Sequence, residues 1–279
     1  LGGEIISKEE WPNHPSNVFP NDYRNLPPNA FFHTFLGGNN PLKAPQEWMN
    51  EDQFIHDISV HEWFIKKGFS DELVDLAYNL NITHGYSAKD VSVLMLMFVN
   101  AFAASQSRLG FQTSLVAEGG NIRIAEEMAK NLKHEILLNK EVTSIDLSND
   151  SAKVSCSDGT SYSANRIICS LPFSVLKGIS IYPKINGPQS EAIKSLKSQK
   201  INMLHLIPKT PFWEKDEMSP NMYTDELAGM IISQRQASSP EKVDSLTAWL
   251  RGPIAERLDL MDQKEAIESV IKSIERLRP

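Results

Sequence analysis

The sequence is poor in cysteine, in clustered positive charge and in long apolar runs, and each shortage removes a class of function. Its two cysteines, Cys156 and Cys169, stand thirteen positions apart with no C-x-x-C. They cannot build a metal cluster by themselves, and both thiols are expected reduced or simply buried. Lys and Arg number 28 against 35 Asp and Glu, for a formal charge of -7. The cations are scattered, which argues against nucleic acid as a partner, because phosphate binding needs a concentrated basic patch. The longest apolar run, residues 91–104, is interrupted by Ser92 and Asn100. It falls short of the roughly twenty residues a membrane span requires and reads as a buried helix.

Several motifs are begun and not finished. His61-Glu62 opens like a zinc-protease helix, but Ile65 stands where the second histidine should be. Gly85-Tyr86-Ser87-Ala88-Lys89 opens like a nucleophile elbow, but Lys89 replaces its closing glycine. His84 and His205 are single histidines, a type more often structural than catalytic. The sequons at Asn81 and Asn149 carry meaning only in a secreted protein. No G-x-G-x-x-G turn occurs, and that turn is the pyrophosphate cradle of a complete dinucleotide fold.

What is present is 279 residues with 41% hydrophobic content, enough for two domains with packed cores. Residues 119–172 are the most regular stretch. Gly119-Gly120 permit a sharp entry into a helix. From Asn121, Ile122, Ala125, Met128, Ala129 and Leu132 recur at helical spacing and predict one apolar face. The short apolar run 136–138 predicts a buried strand. Ile145 and Leu147 alternate with polar residues in a second strand, and the turn dipeptides Asn149-Asp150 and Asp158-Gly159 frame a hairpin of residues 152–157 and 161–164. Residues 166–171 predict a closing apolar strand, ended by Pro172.

On either side the patterns change. Residues 1–50 are rich in Pro and Asn and read as surface loop, unusually long for a structureless segment. Ser59 with Glu62 forms a capping-box pattern for a helix stopped by Gly68, and Ser70 caps a second helix running to Leu80. Residues 91–104 supply a third. After Pro172, short helices are expected at 173–176 and 190–196, antiparallel strands at 201–207, 230–233 and 245–250, and a final helix at 262–277.

The order of a Gly-Gly helix, LNKEVTSI at residues 138–145, the SDGTSYSANRIICSLPFSVLKGI run at 157–179 and Pro211-Phe212-Trp213 resembles the flavin-containing amine oxidases. The resemblance is dense over about sixty residues and sparse over the rest. It implies an α+β / α/β fold in which residues 111–175 are the middle part of an FAD-binding domain. Residues 1–110 and 176–279 would be two parts of a substrate domain with helices and an antiparallel sheet. The family's phosphate-binding turn and its C-terminal flavin segment are not matched here, which implies an internal piece of a longer oxidase whose remaining portions would be its partners.

By the same resemblance, Val142 holds the adenine through its backbone, and Glu141 before it and Ser170, Leu171 and Pro172 lie at the cofactor; Phe212, Trp213 and Trp249 are candidates to wall a substrate pocket. Lys200 matches the family lysine that positions a water against the flavin, although the family's spacing back from Trp213 falls near Met203. The implied chemistry is oxidative deamination of an amine or amino acid, with FAD as acceptor, molecular oxygen as reoxidant and peroxide as product. A desaturase or dehydrogenase acting on a non-amine, and a module that has lost the cofactor, remain open alternatives, as do compartment and oligomeric state. Little or no FAD is expected to stay on this piece alone.

Overall fold

The computed structural model describes residues 1–108, 117–148, 151–236 and 239–279. In chain order the helices are α1 (Pro28–Gly38), α2 (Val60–Lys66), α3 (Asp71–Val74), α4 (Val93–Arg108), α5 (Ile122–Lys130), α6 (Phe173–Leu176), α7 (Pro188–Ser195), α8 (Phe212–Lys215), α9 (Pro253–Asp259) and α10 (Gln263–Leu277). The strands are β1 (Val142–Asp146), β2 (Ala152–Cys156), β3 (Ser161–Ala164), β4 (Ser180–Tyr182), β5 (Ile201–Leu206), β6 (Met222–Tyr223), β7 (Met230–Gln236) and β8 (Ser239–Arg251). The chain divides into two compact units, Leu1–Phe111 with Gln199–Pro279, and Gln112–Ser198.

In the first unit, the segment expected as loop contains α1. A proline in the first helical turn has no amide to leave unpaired and its φ is already helical, so Pro28 starts a helix that a proline count argues against. Phe31, Phe32, Phe35 and Leu36 share one face and are all buried. Phe31 stacks on Phe19 at 4.1 Å between centroids and on Phe35 at 5.7 Å, with Phe64 packed behind. The turns ahead of α1 are ordered by fully buried Asn17, whose amide donates to the carbonyls of Trp11 and Arg24 while its oxygen accepts from the Phe19 amide. The backbone groups that a loop leaves open are thereby paired.

Both predicted caps form: Ser59 Oγ accepts from the Glu62 amide at 3.0 Å and Ser70 Oγ from the Leu73 amide at 3.3 Å. The second helix, however, keeps α geometry only to Val74 and continues as a π turn over Asp75–Asn79. The second half of this unit is a four-stranded antiparallel sheet in the order β5-β8-β7-β6. Ile231, Leu246, Ala248 and Leu250 point to one face and pack with Val270 and Ile274 of α10. Period-2 alternation then puts Met203, His205, Met230, Thr247, Trp249 and Arg251 on the other. Asp262 caps α10 by accepting from the Lys264 amide at 2.9 Å.

The second unit holds a mixed sheet in the order β3-β2-β1-β4, antiparallel except for β1 with β4. The hairpin of β2 and β3 and helix α5 stand where the sequence puts them; β4 is an addition. The Asn149-Asp150 turn lies outside the described residues. Residues 136–138 and 166–171 are not strands. Most of their apolar side chains lie exposed, Ile168 at 96% and Leu138 at 74%, and so does most of the apolar face of α5, with Met128 at 68%. An apolar run becomes a buried strand only where neighbours pair its backbone and cover its side chains, and among the described residues these runs have none.

Candidate functional site

The outer face of the β5-β8-β7-β6 sheet carries the most varied chemistry in the first unit. Register places Met203, Trp249 and Met230 in one cross-strand row. Beside it, Thr247 Oγ1 lies 3.0 Å from His205 Nδ1 and accepts from Gln234 Nε2 at 3.2 Å. Beyond the sheet, the turns that follow the π segment bring up Asn81 and Ile82. Together with Trp249 and Arg251 they wall a cavity of about 130 Å³. The Arg251 guanidinium lies 4.8 Å from the Trp249 ring centroid and donates from Nη1 to the Ile82 carbonyl at 3.4 Å. Among the described residues, both amide atoms of Asn81, the indole Nε1 of Trp249 and Nε of Arg251 are buried without a protein partner.

Electrostatics here are one-sided. Burial first, then the Arg251 charge, then His33, hold His84 below the usual imidazole range. Burial likewise disfavours the Arg251 charge. Glycines shape the cavity edge: Gly229 has φ +61, and a Cβ there would stand 2.9 Å from the Trp249 carbonyl oxygen.

Of the predicted pocket aromatics, only Trp249 reaches this face. Phe212 and Trp213 belong to α8 and pack toward the α10 side of the sheet. There Arg278 lies 5.0 Å from the Phe212 ring centroid and makes a forked pair with Asp216. Lys200 stands just ahead of β5. Its Nζ is 3.0 Å from Asp259, the side chain is 48% exposed, and Asn202 donates to the same carboxylate. The hydrogen bond and charge of Asp259 raise the Lys200 pKa. Met203 lies three residues further along the strand, in the row with Trp249.

In the second unit, the Glu141 carbonyl accepts from the Ser157 amide at 2.9 Å, and the β1–β2 register shifts between Val142 and Ser144. β4 pairs with β1 only from Ser144 onward, so among the described residues the edge of Val142 on that side has no strand partner. An open backbone edge of this kind fits a flat heterocycle that reads main-chain groups. Ser170, Leu171 and Pro172 form an exposed stretch leading into α6. The adenine end of FAD therefore fits the residues present, whereas the glycine turn that cradles a pyrophosphate is not among them. Sequence reasoning missed Asn81 and Arg251. Arg251 belongs to no motif and Asn81 only to a glycosylation sequon, and only the meeting of the turns at residues 80–82 with the end of β8 gives them a common cavity.

Among the described residues no helix is long and apolar enough to cross a membrane, and no group of His, Cys, Asp and Glu is placed to hold a metal ion.

Comparison with known proteins gives consistent results. A polyamine oxidase (Polyamine oxidase 4 of Oryza sativa subsp. japonica) is 28% identical over 163 residues, 57% of this chain and 32% of its own length. Among solved structures, a putrescine oxidase variant superposes with a TM-score of 0.66 at 20% identity, over 88% of this chain and 56% of its own. The cyclohexylamine oxidase of Brevibacterium oxydans IH-35A gives 0.66 at 15% identity, over 90% and 57%. At such identities the structural likeness speaks for the fold. The chain spans about a third of the curated relative and a little over half of the solved oxidases. The family model described as flavin containing amine oxidoreductase matches residues 12–279, and the chain belongs to that family.

Proposed function

We propose that this chain works as part of an FAD-dependent oxidase of amines or amino acids. When bound, FAD supplies the electron acceptance: a hydride leaves the carbon bearing the amine, and molecular oxygen regenerates the oxidised cofactor with release of peroxide. Residues 111–175 contribute to the cofactor side, through Glu141 and the open edge of Val142, with Ser170, Leu171 and Pro172 toward the flavin. Residues 1–110 and 176–279 contribute the substrate side.

The observation that carries this reading is the number of exposed apolar side chains in the second unit, Ile124, Met128, Leu138 and Ile168 among them. Contiguous apolar surface of this kind marks an interaction site, and in this reading the remaining portions of the same oxidase cover these side chains. The chain's own residues have the tasks of orienting the amine and excluding water. The outer sheet face, with Met203, Met230 and Trp249, offers an apolar wall for that purpose, and Phe212 and Trp213 stiffen the sheet from behind.

The test has two arms. In the complete oxidase, amines or amino acids are expected to drive release of peroxide and ammonia; a protein that is yellow yet oxidises only non-amines overturns the substrate class. The purified 279-residue chain is expected to be colourless, and tight retention of FAD by it alone would overturn the division of labour.

A further inference from the structure

The fold uses Arg251 only in part, through its stacking on Trp249 and one hydrogen bond, and the chemistry proposed above does not use it. A guanidinium has five N–H donors, and the hydrogen bond from Nη1 to the Ile82 carbonyl uses one. Among the described residues no carboxylate pairs with it, in contrast to Arg278, which holds Asp216, and Arg276, which holds Glu226. It borders a cavity of about 130 Å³ with Asn81, Trp249, Met230 and Ile254, and among the described residues no acidic one lines that cavity. Two of its neighbours there, Asn81 and Trp249, also bury polar atoms without a protein partner. His84 adds a second basic group close enough to be affected by the Arg251 charge.

A half-buried cation is costly without a counter-charge, and unpaired N–H groups beside it add to that cost. We propose that this cavity is a subsite for a small carboxylate, with Arg251 supplying the charge and the amide of Asn81 and the indole N–H of Trp249 supplying neutral donors.

Competing occupants fit less well. A metal cation finds no anionic ligand in the walls. An apolar group leaves the guanidinium unpaired. A dianionic phosphate asks for more positive charge than one arginine provides, whereas a carboxylate matches the planar guanidinium fork in both charge and geometry. At roughly 30 Å³ of liquid volume per water, the space holds about four waters or one small carboxylate head. The carboxylate has two sources. One is a free ion. The other is the carboxyl group of an amino-acid substrate, and that assignment rests on the oxidase reading above.

The 279-residue chain, labelled with 15N, is titrated with acetate, with inorganic phosphate, and with an amino acid against the amine that lacks its carboxyl group. The Nε–H of Arg251 and the Nε1–H of Trp249 report binding, and are assigned with Arg251→Gln, Arg251→Lys and Trp249→Phe. Saturable shifts are expected with acetate at about 1–10 mM, weaker with phosphate. They should weaken at least about tenfold in Arg251→Gln and recover in part in Arg251→Lys. An amino acid that shifts both signals where its amine does not assigns the site to a substrate carboxyl group; acetate alone assigns it to a free ion. No saturable shift up to about 50 mM, or equal binding by a folded Arg251→Gln chain, overturns the proposal. Acetate binding together with absent amine oxidation in the complete protein would sink the oxidase reading and leave this site standing.

Discussion

Single residues here answer to their immediate partners before they answer to any family pattern. Lys200 sits on Asp259 at a surface, and an exposed pair of this kind adds little stability. Lys200→Met is therefore expected to leave the unfolding midpoint unchanged, so that kcat in the complete oxidase reads the lysine's role directly. A fall of about a hundredfold or more supports a place at the flavin; no fall returns it to the surface pair. His84 carries a pH dependence of definite sign. Its folded pKa is depressed, chiefly by burial and next by Arg251, below an unfolded value near 6.5. As pH falls through about 6.5, the unfolded chain takes up a proton that the folded chain refuses, and stability declines. Above that range the group is neutral in both states and contributes nothing. The thermal midpoint is expected to drop between about pH 7.5 and 5.5, and to drop less in His84→Gln.

At the scale of elements, α1 shows how local signals mislead. Its composition, with Pro27 and Pro28 at the start and Gly37 and Gly38 at the end, describes punctuation, yet the residues between supply the centre of the aromatic core. Phe31→Ala is expected to cost about 3–5 kcal/mol, as for other fully buried aromatics, and chemical denaturation would measure it. The caps of α2 and α3 were legible because a serine followed by a free amide is a local event. The end of α3 was not: Leu73, Val74 and Ala77 stay buried, but the backbone widens into a π turn that no side-chain periodicity announces.

At the scale of the whole molecule, the first unit gathers two buried cores, one among its N-terminal helices and one between its sheet and α10, while the second leaves many of its apolar side chains exposed. Replacing Ile124 with Glu and Ile168 with Lys is expected to lower binding of a hydrophobic dye by the isolated chain without lowering its thermal midpoint, because neither side chain is buried. In the complete oxidase the same pair should weaken flavin retention; unchanged retention would show that nothing packs there. By itself, the sequence determined the hairpin, the capped helices, the antiparallel sheet and the family, since each is written in spacing along the chain. Whether residues 136–138 and 166–171 become strands was beyond it, because a strand exists only where another backbone pairs with it. The convergence of Asn81, Trp249 and Arg251 was decided only in three dimensions, by turns and strand ends from opposite parts of the chain meeting around one cavity.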